Sequence, residues 1–431
     1  MASSDPYAAL RNRDYRLFLA SGFIGIIGNQ MQVLALRCDI FERTGRAKDL
    51  GWMGIVQALP ILALALPAGQ VADWFDRRFI ICVNLVLGAL SSIALYYLSS
   101  THGPLWQMYI CVVMRSVCGV FNQPARQALM PQLIPVSDFP NAITWNSSSF
   151  QMALAMGPAL GGYVNDLSHR HSGNYAIAYL CDAACLIFSF VAMALVTRQP
   201  QRHAREPATL ESLGAGLRFV FTRKVILAAL TLDLMVTFFA GATTLLPVYA
   251  REILHIGDRE LGWLCAAPAL GAVAMAVIVA HLPPLKHAGR SLLIAVTAFG
   301  AATIVFGISR WYWLSLLALF LTGAFDNISV VVRHTIVQML APDAMRGRIS
   351  AVNSMFIGAS NRFSDAESGY TADWFGPVWS VVGGGVGAIG VVIGVAVFWP
   401  ELSKVGSLAD LKAERMETES EAKTEEPVVS K

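Results

Sequence analysis

From Tyr15 to the neighbourhood of Trp399 the chain alternates between unbroken apolar runs and short charged clusters. Each run holds roughly twenty residues, the length a helix needs to cross about 30 Å of hydrocarbon. The runs are continuous and lack the every-second-residue pattern of a half-buried strand, so they predict helices. A helix also satisfies its own backbone hydrogen bonds, which hydrocarbon demands. Twelve spans follow, near 15–37, 51–72, 78–99, 105–124, 141–164, 175–197, 226–249, 260–282, 291–308, 311–332, 350–371 and 377–399. The fold class expected is an all-α membrane protein.

Composition supports the bilayer as solvent. Of 431 residues, 55% are hydrophobic and 14% charged, against about 25% charged in a soluble domain. The longest internal polar stretch, 198–224, separates six spans from six. The organisation predicted is an N-terminal segment 1–14, a six-helix bundle 15–197, a linker 198–224, a second bundle 225–400 and a disordered tail 401–431. The first run lacks a small-residue cleavage site and is predicted to stay as a helix. Basic residues favour a cytoplasmic N-terminus: Arg11, Arg13, Arg16, Arg77, Arg78, Arg126, the 198–224 cluster, Lys286, Arg290, Arg333, Arg346 and Arg348 then lie inside. The first outer loop, with Arg37, Arg43, Arg46 and Lys48, runs against that bias.

A repeat relates the two halves. Gly119-Val-Phe-Asn122 is followed by Arg126, Pro135 and Asn146-Ser; Gly323-Ala-Phe-Asp326 is followed by Arg333, Pro342 and Asn353-Ser. Arginine, proline and asparagine keep the same spacing in both copies. Internal repeats of this kind build many secondary transporters.

Between the second and third spans stands Gly69-Gln-Val-Ala-Asp73-Trp-Phe-Asp76-Arg77-Arg78. It resembles the G-x-x-x-D-x-x-x-R-R signature of the major facilitator superfamily. Arg115-Ser-Val-Cys-Gly119 is similar to that superfamily's R-x-x-x-G motif, and Gly157-Pro158-Ala-Leu-Gly161-Gly162 to the G-P-x-x-G-G core of its drug antiporters. With Gln123–Pro131 and Pro342–Arg348, these resemble the branch of enterobactin exporters and macrolide efflux proteins. The resemblance implies a major facilitator fold of two six-helix bundles, alternating access, and export driven by proton antiport. It implies Gly69, Asp73, Asp76, Arg77 and Arg78 as a conformational gate on the cytoplasmic side. Where that branch carries an acid, this chain has Asn361, but Glu367-Ser-Gly369 is retained.

Charges inside spans mark candidate machinery, because each is costly in hydrocarbon. Arg115 falls near the midplane of the fourth span. Asp233, Asp326, Asp365 and Glu367 are candidate proton carriers, a desolvated carboxylate being able to titrate near neutral pH. Arg362 and Asp365, three residues apart, share a helical face. Asp182 is expected to be structural. Gln30, Gln57, Phe121, Asn122 and Gln151 are the candidate substrate contacts, with Asn29 and Trp145 beside them. The seven cysteines show no metal spacing, and no phosphate loop or catalytic triad appears. No cofactor, metal, catalytic residue or nucleic-acid partner is expected; the partners are a small-molecule substrate, protons and lipid, with the chain acting as a monomer in the inner (plasma) membrane. A uniporter or importer, and a lipid translocator of the same fold, are the alternatives.

Overall fold

The computed structural model describes residues 6–198, 218, 221, 224–239, 241–281, 287–340, 343–403 and 406, without the side chains of Leu66, Gln338 and residues 343–356. Most of the expected linker and tail therefore lies outside the described residues, as do Lys286, Pro342 and the side chains of Arg346, Arg348 and Asn353. Among the described residues the twelve long helices are α1 (Arg13–Thr44), α2 (Ala47–Trp74), α3 (Arg77–Ser100), α4 (Leu105–Leu129), α5 (Phe139–Ser172), α6 (Ala176–Ala194), α7 (Lys224–Phe239), α8 (Asp258–His281), α9 (Ala288–Ile308), α10 (Tyr312–Leu340), α11 (Asp343–Phe375) and α12 (Pro377–Phe398).

Helices α1–α6 pack as one bundle and α7–α12 as another; α2 against α11 and α5 against α8 join the two. This is a major facilitator architecture. Among the described residues nine helices are long and apolar enough to cross a membrane, and α2 makes a tenth although it bends by 54° between Ala65 and Pro67. Pro67 supplies no N–H, and its ring crowds the carbonyl four residues back, which accounts for the bend. Helices α5 and α11 have 34 and 33 residues, about 50 Å at 1.5 Å per residue, yet they fall short in hydropathy. Both are inter-bundle helices, so much of their surface meets protein and tolerates polar side chains. Their apolar runs accordingly stop before the helices do.

The seventh span, expected near 226–249, is a single apolar stretch over Lys224–Ile253, but its helix type changes along the way: the described α-helical part, α7, is Lys224–Phe239. It continues as a 3-10 turn (Gly241–Leu245), a short helix (Leu246–Val248) and a π-turn (Tyr249–Ile253). Pro247 supplies no N–H to the turn before it.

The two ends of the molecule differ. The loop end carries the α1–α2, α3–α4 and α5–α6 connections; the linker end carries the α2–α3 and α4–α5 connections. At the loop end the bundles touch backbone to backbone. A Cβ placed on Gly369 of α11 would stand 2.6 Å from Gly51 Cα of α2, and one on Gly162 of α5 would stand 2.7 Å from Gly262 Cα of α8. Only glycine permits such approaches, which are the small-residue contacts of membrane helices. Cys38 lies 4% exposed in the core of this end. Gly162→Val is therefore expected to hold the loop end apart. Maleimide labelling of Cys38, read by mass spectrometry, should rise several-fold; unchanged labelling would show that the seal accepts a side chain.

Candidate functional site

A cavity of about 710 Å³ lies between α1, α2, α4 and α11. Its walls are helical faces. On α4, Val112, Arg115, Ser116, Gly119, Val120, Gln123 and Gln127 recur at three- and four-residue steps, the spacing that puts side chains on one side. Met53, Gln57, Ile61 and Ala65 do the same on α2, and Asn29, Gln32, Val33 and Leu36 on α1. Gln123 and Gln127 are exposed where the cavity reaches the linker end.

Arg115 is held by one group of the wall and one behind it. It donates to Asn29 Oδ1 at 2.9 Å and stands 3.6 Å from Asp182 Oδ2 of α6. Asp182 is fully buried, accepts from Ser92 Oγ, and leaves Oδ1 without a hydrogen-bond partner. Gln32 in turn donates to Ser92 at 3.4 Å. The network thus fixes the α1 face and the α4 face together. Sequence reading set Asp182 apart as structural and missed that it is the counter-charge of Arg115. Ser116 Oγ donates to the Gln57 carbonyl at 2.8 Å and joins α4 to α2.

A second cavity of about 170 Å³ lies inside the α7–α12 bundle, with Asp233, Thr237, Asp326, Ser329 and Asn361 in its wall. Arg333 of α10, 4% exposed, forms an ion pair with Asp233. Its repeat counterpart, Arg126 of α4, donates to the Phe18 carbonyl of α1 at 2.9 Å and lies over the Phe18 ring at 4.5 Å. Each arginine of the repeat therefore ties the fourth helix of its bundle to the first.

The remaining candidates fall elsewhere. Arg37 of α1 donates to the Thr243 carbonyl at 3.3 Å and pairs with Asp365 at 3.4 Å. Asp365 also accepts from Thr244 and pairs with Arg362 at 3.4 Å, as the i,i+3 spacing predicted. Asp365 is thus part of the loop-end seal. A second polar cluster crosses that end: Tyr175 donates to Glu42 Oε2 at 2.6 Å, while Arg251 donates to Tyr175 Oη and to Asp258 Oδ1, both at 3.0 Å. Burial pushes the Tyr175 phenol up, so it stays a donor. Glu367 accepts from Ser368 at 3.2 Å and lines neither cavity.

Among the expected substrate contacts, Gln57 lines the large cavity. Gln30 packs on Gly157 of α5; Phe121 packs in the linker-end core; Trp145 donates to the Pro6 carbonyl at 2.9 Å; Asn122 Oδ1 is buried without a partner. These and Gln151 stand outside both cavity walls. Gln32, Gln123 and Gln127 line the large cavity. In the signature loop, Asp76 caps α3 by accepting from the Arg78 and Phe79 amides and pairs with Arg198 at 2.9 Å. Arg77 donates to the Ala128 carbonyl at 3.2 Å and Arg78 to that of Ala194. Gly69 has no atom near its Cβ position, and Asp73 is exposed with no ion pair among the described residues.

Two bundles joined by α2–α11 and α5–α8, with a cavity lined by apolar residues, two arginines and five carboxamides, define a multi-pass membrane transporter of the major facilitator superfamily. Within it the chain belongs to the transmembrane secretion effector family, matched over residues 4–429. It is 24% identical to an enterobactin exporter of Citrobacter koseri, covering 78% of this chain and 80% of that one. It is 23% identical to a multidrug efflux pump of Mycolicibacterium fortuitum (78% and 83%) and 22% to a staphyloferrin A transporter of Staphylococcus aureus (79% and 85%). Among solved structures, a POT family transporter in complex with 5-aminolevulinic acid superposes with a TM-score of 0.72 at 13% identity, covering 91% of this chain and 97% of that one. The nucleoside transporter NupG gives 0.69 at 13% identity, with coverages of 90% and 100%.

Losing one partner of a buried ion pair costs about 3–5 kcal/mol, because the other charge stays behind. Arg115→Gln should lower stability by that order, and adding Asp182→Asn should restore most of it. Thermal unfolding of the purified single and double variants checks this; additive losses would show that the pair does not act as a unit.

Proposed function

We propose that the chain is a secondary active exporter of a small molecule, working by proton antiport and alternating access. The observation that carries the reading is a mixed apolar and polar cavity, lined by residues of both bundles, with the bundles sealed at one end. Its volume lies within the range of about 300–1,000 Å³ usual for small-molecule sites. The smaller acidic cavity is too small for such a ligand but has room for a proton carrier. Relatives that include a siderophore exporter and a multidrug pump support export. The basic bias of the linker end supports a cytoplasmic position for it, in the plasma membrane with both termini inside. The site then faces the cytoplasm in this state. One chain supplies both bundles, in keeping with a monomer.

In this reading Asp233 and Asp326, with Arg333 between α7 and α10, carry the coupling proton. A carboxylate removed from water favours its neutral form and an adjacent guanidinium opposes that, so small rearrangements of Arg333 change proton affinity. Asp73 and its neighbours act as the linker-end gate, to be engaged when that end closes.

Purified protein in liposomes with an imposed pH gradient tests the coupling. Substrate addition should collapse the gradient, and Asp233→Asn or Asp326→Asn should abolish the collapse while saturable substrate movement persists. Glu367→Gln, outside both cavities, should behave like the unmodified protein. Full gradient-driven transport by both Asp variants would overturn the assignment, and saturable movement indifferent to the gradient in the unmodified protein would make the chain a facilitator.

A further inference from the structure

The chemistry of the large cavity's wall is one-sided. Arg115 and Arg362 face it from opposite bundles, and five carboxamides, among them Gln57, Gln123 and Gln127, line it. Among the described lining residues there is no Asp or Glu and no aromatic ring. The acids that pair with these arginines, Asp182 and Asp365, stand behind the wall. Asp365 is moreover divided between Arg37 and Arg362, so three guanidiniums share two carboxylates. Arg362 keeps 35% of its side chain exposed. An excess positive charge therefore faces the cavity, carried by the side chain whose planar fork matches a carboxylate.

That wall suits one sign of ligand. An organic cation leaving water needs a counter-charge or aromatic faces to replace its hydration, and among the described lining residues it meets neither, but does meet guanidiniums that repel it. A carboxylate or phenolate finds charge-assisted N–H donors, with amide N–H groups of glutamine for its remaining oxygens. We propose that the substrate of this cavity is an organic anion bearing several oxygen acceptors, bound between Arg115 of one bundle and Arg362 of the other. The proposal rests on the transport reading above and adds the sign of the ligand's charge. Because Arg362 shares its carboxylate with Arg37, an anion drawn to Arg362 loosens its claim on Asp365, which ties the loop end shut. Occupancy and gate thus meet in one side chain.

Two dyes of one three-ring scaffold and opposite charge decide the matter: 5-carboxyfluorescein and rhodamine 123, titrated against the purified full chain by fluorescence anisotropy. Carboxyfluorescein is expected to bind saturably and to weaken as salt is added, whereas rhodamine 123 is not expected to bind. Arg362→Gln should weaken carboxyfluorescein about tenfold or more, and Arg362→Glu should favour rhodamine 123. Arg362 is partly exposed, so both variants should fold; unchanged thermal unfolding confirms it. Equal binding of the dyes, or rhodamine binding lost in Gln57→Leu, would overturn the anion assignment and leave the transport reading standing. Binding of neither dye, before or after Gln57→Leu, would remove the cavity as a ligand site and end both.

Discussion

Pro247 has no N–H to return to the turn before it, and closure of the loop end uses the carbonyl this leaves open. The Thr243 oxygen accepts from Arg37, a residue of the other bundle. The same guanidinium reaches Asp365 on α11, which Thr244 and Arg362 also hold. A change of helix type in one span has thereby become a contact between halves. The bridge gives this exposed carbonyl a partner on the other bundle, so the irregular end of the seventh span contributes directly to the closed loop end. The glycine contacts Gly51–Gly369 and Gly162–Gly262 then bring α2 to α11 and α5 to α8 closely enough for these short polar bridges to form.

The closed end also explains the outer loop whose basic residues run against the charge bias. Arg43 binds Asp39 at 2.6 Å and donates to the Gly103 and Leu98 carbonyls at 2.9 and 3.2 Å, finishing the C-terminal end of α3. Arg37 is an inter-bundle bridge. Neither is a free surface charge of the kind that orientation rules count. The charges that sit at membrane depth separate by cavity: Arg115 and Arg362, one from each bundle, line the large cavity, and Asp233 and Asp326 line the small one in α7–α12. Segregation keeps a carboxylate's claim on Arg333 apart from whatever occupies Arg115.

Much of this was open to reading from sequence, and the failures have a common cause. Runs of twenty apolar residues and the Gly69–Arg78 signature point to the fold, since the bilayer limits the choices. The repeat placed Arg126 and Arg333 in equivalent positions, and each proves to tie equivalent helices. The α4 face from Arg115 through Ser116 and Gln123 to Gln127 was present as a polar stripe. On α1 no such stripe exists, because lipid, protein and cavity surround a helix that is apolar on nearly every side. Its phase cannot be taken from polarity, and Gln30 was preferred where Gln32 faces the cavity. Asp182 lies two helices from Arg115, and only packing brings them together. The change of helix type near the end of the seventh span was marked by Pro247, but the apolar run continues through it and hid the signal.

Under alternating access, the loop-end contacts must be replaced when that end opens. Arg37, Asp365, Tyr175, Arg251 and Asp258 would exchange these partners for water, and a buried ion pair gains little over its two hydrated members because desolvation offsets the attraction. A modest new contact at the linker end is therefore enough to balance the exchange. The signature loop has what such a contact needs. Asp76, Arg77 and Arg78 are committed to capping and anchoring within the first bundle, so the turn is rigid in either state. Asp73, one turn of helix before them, is exposed and uncommitted among the described residues. A rigid turn presenting one spare carboxylate is the arrangement in which a small number of contacts can hold one state without preventing return to the other.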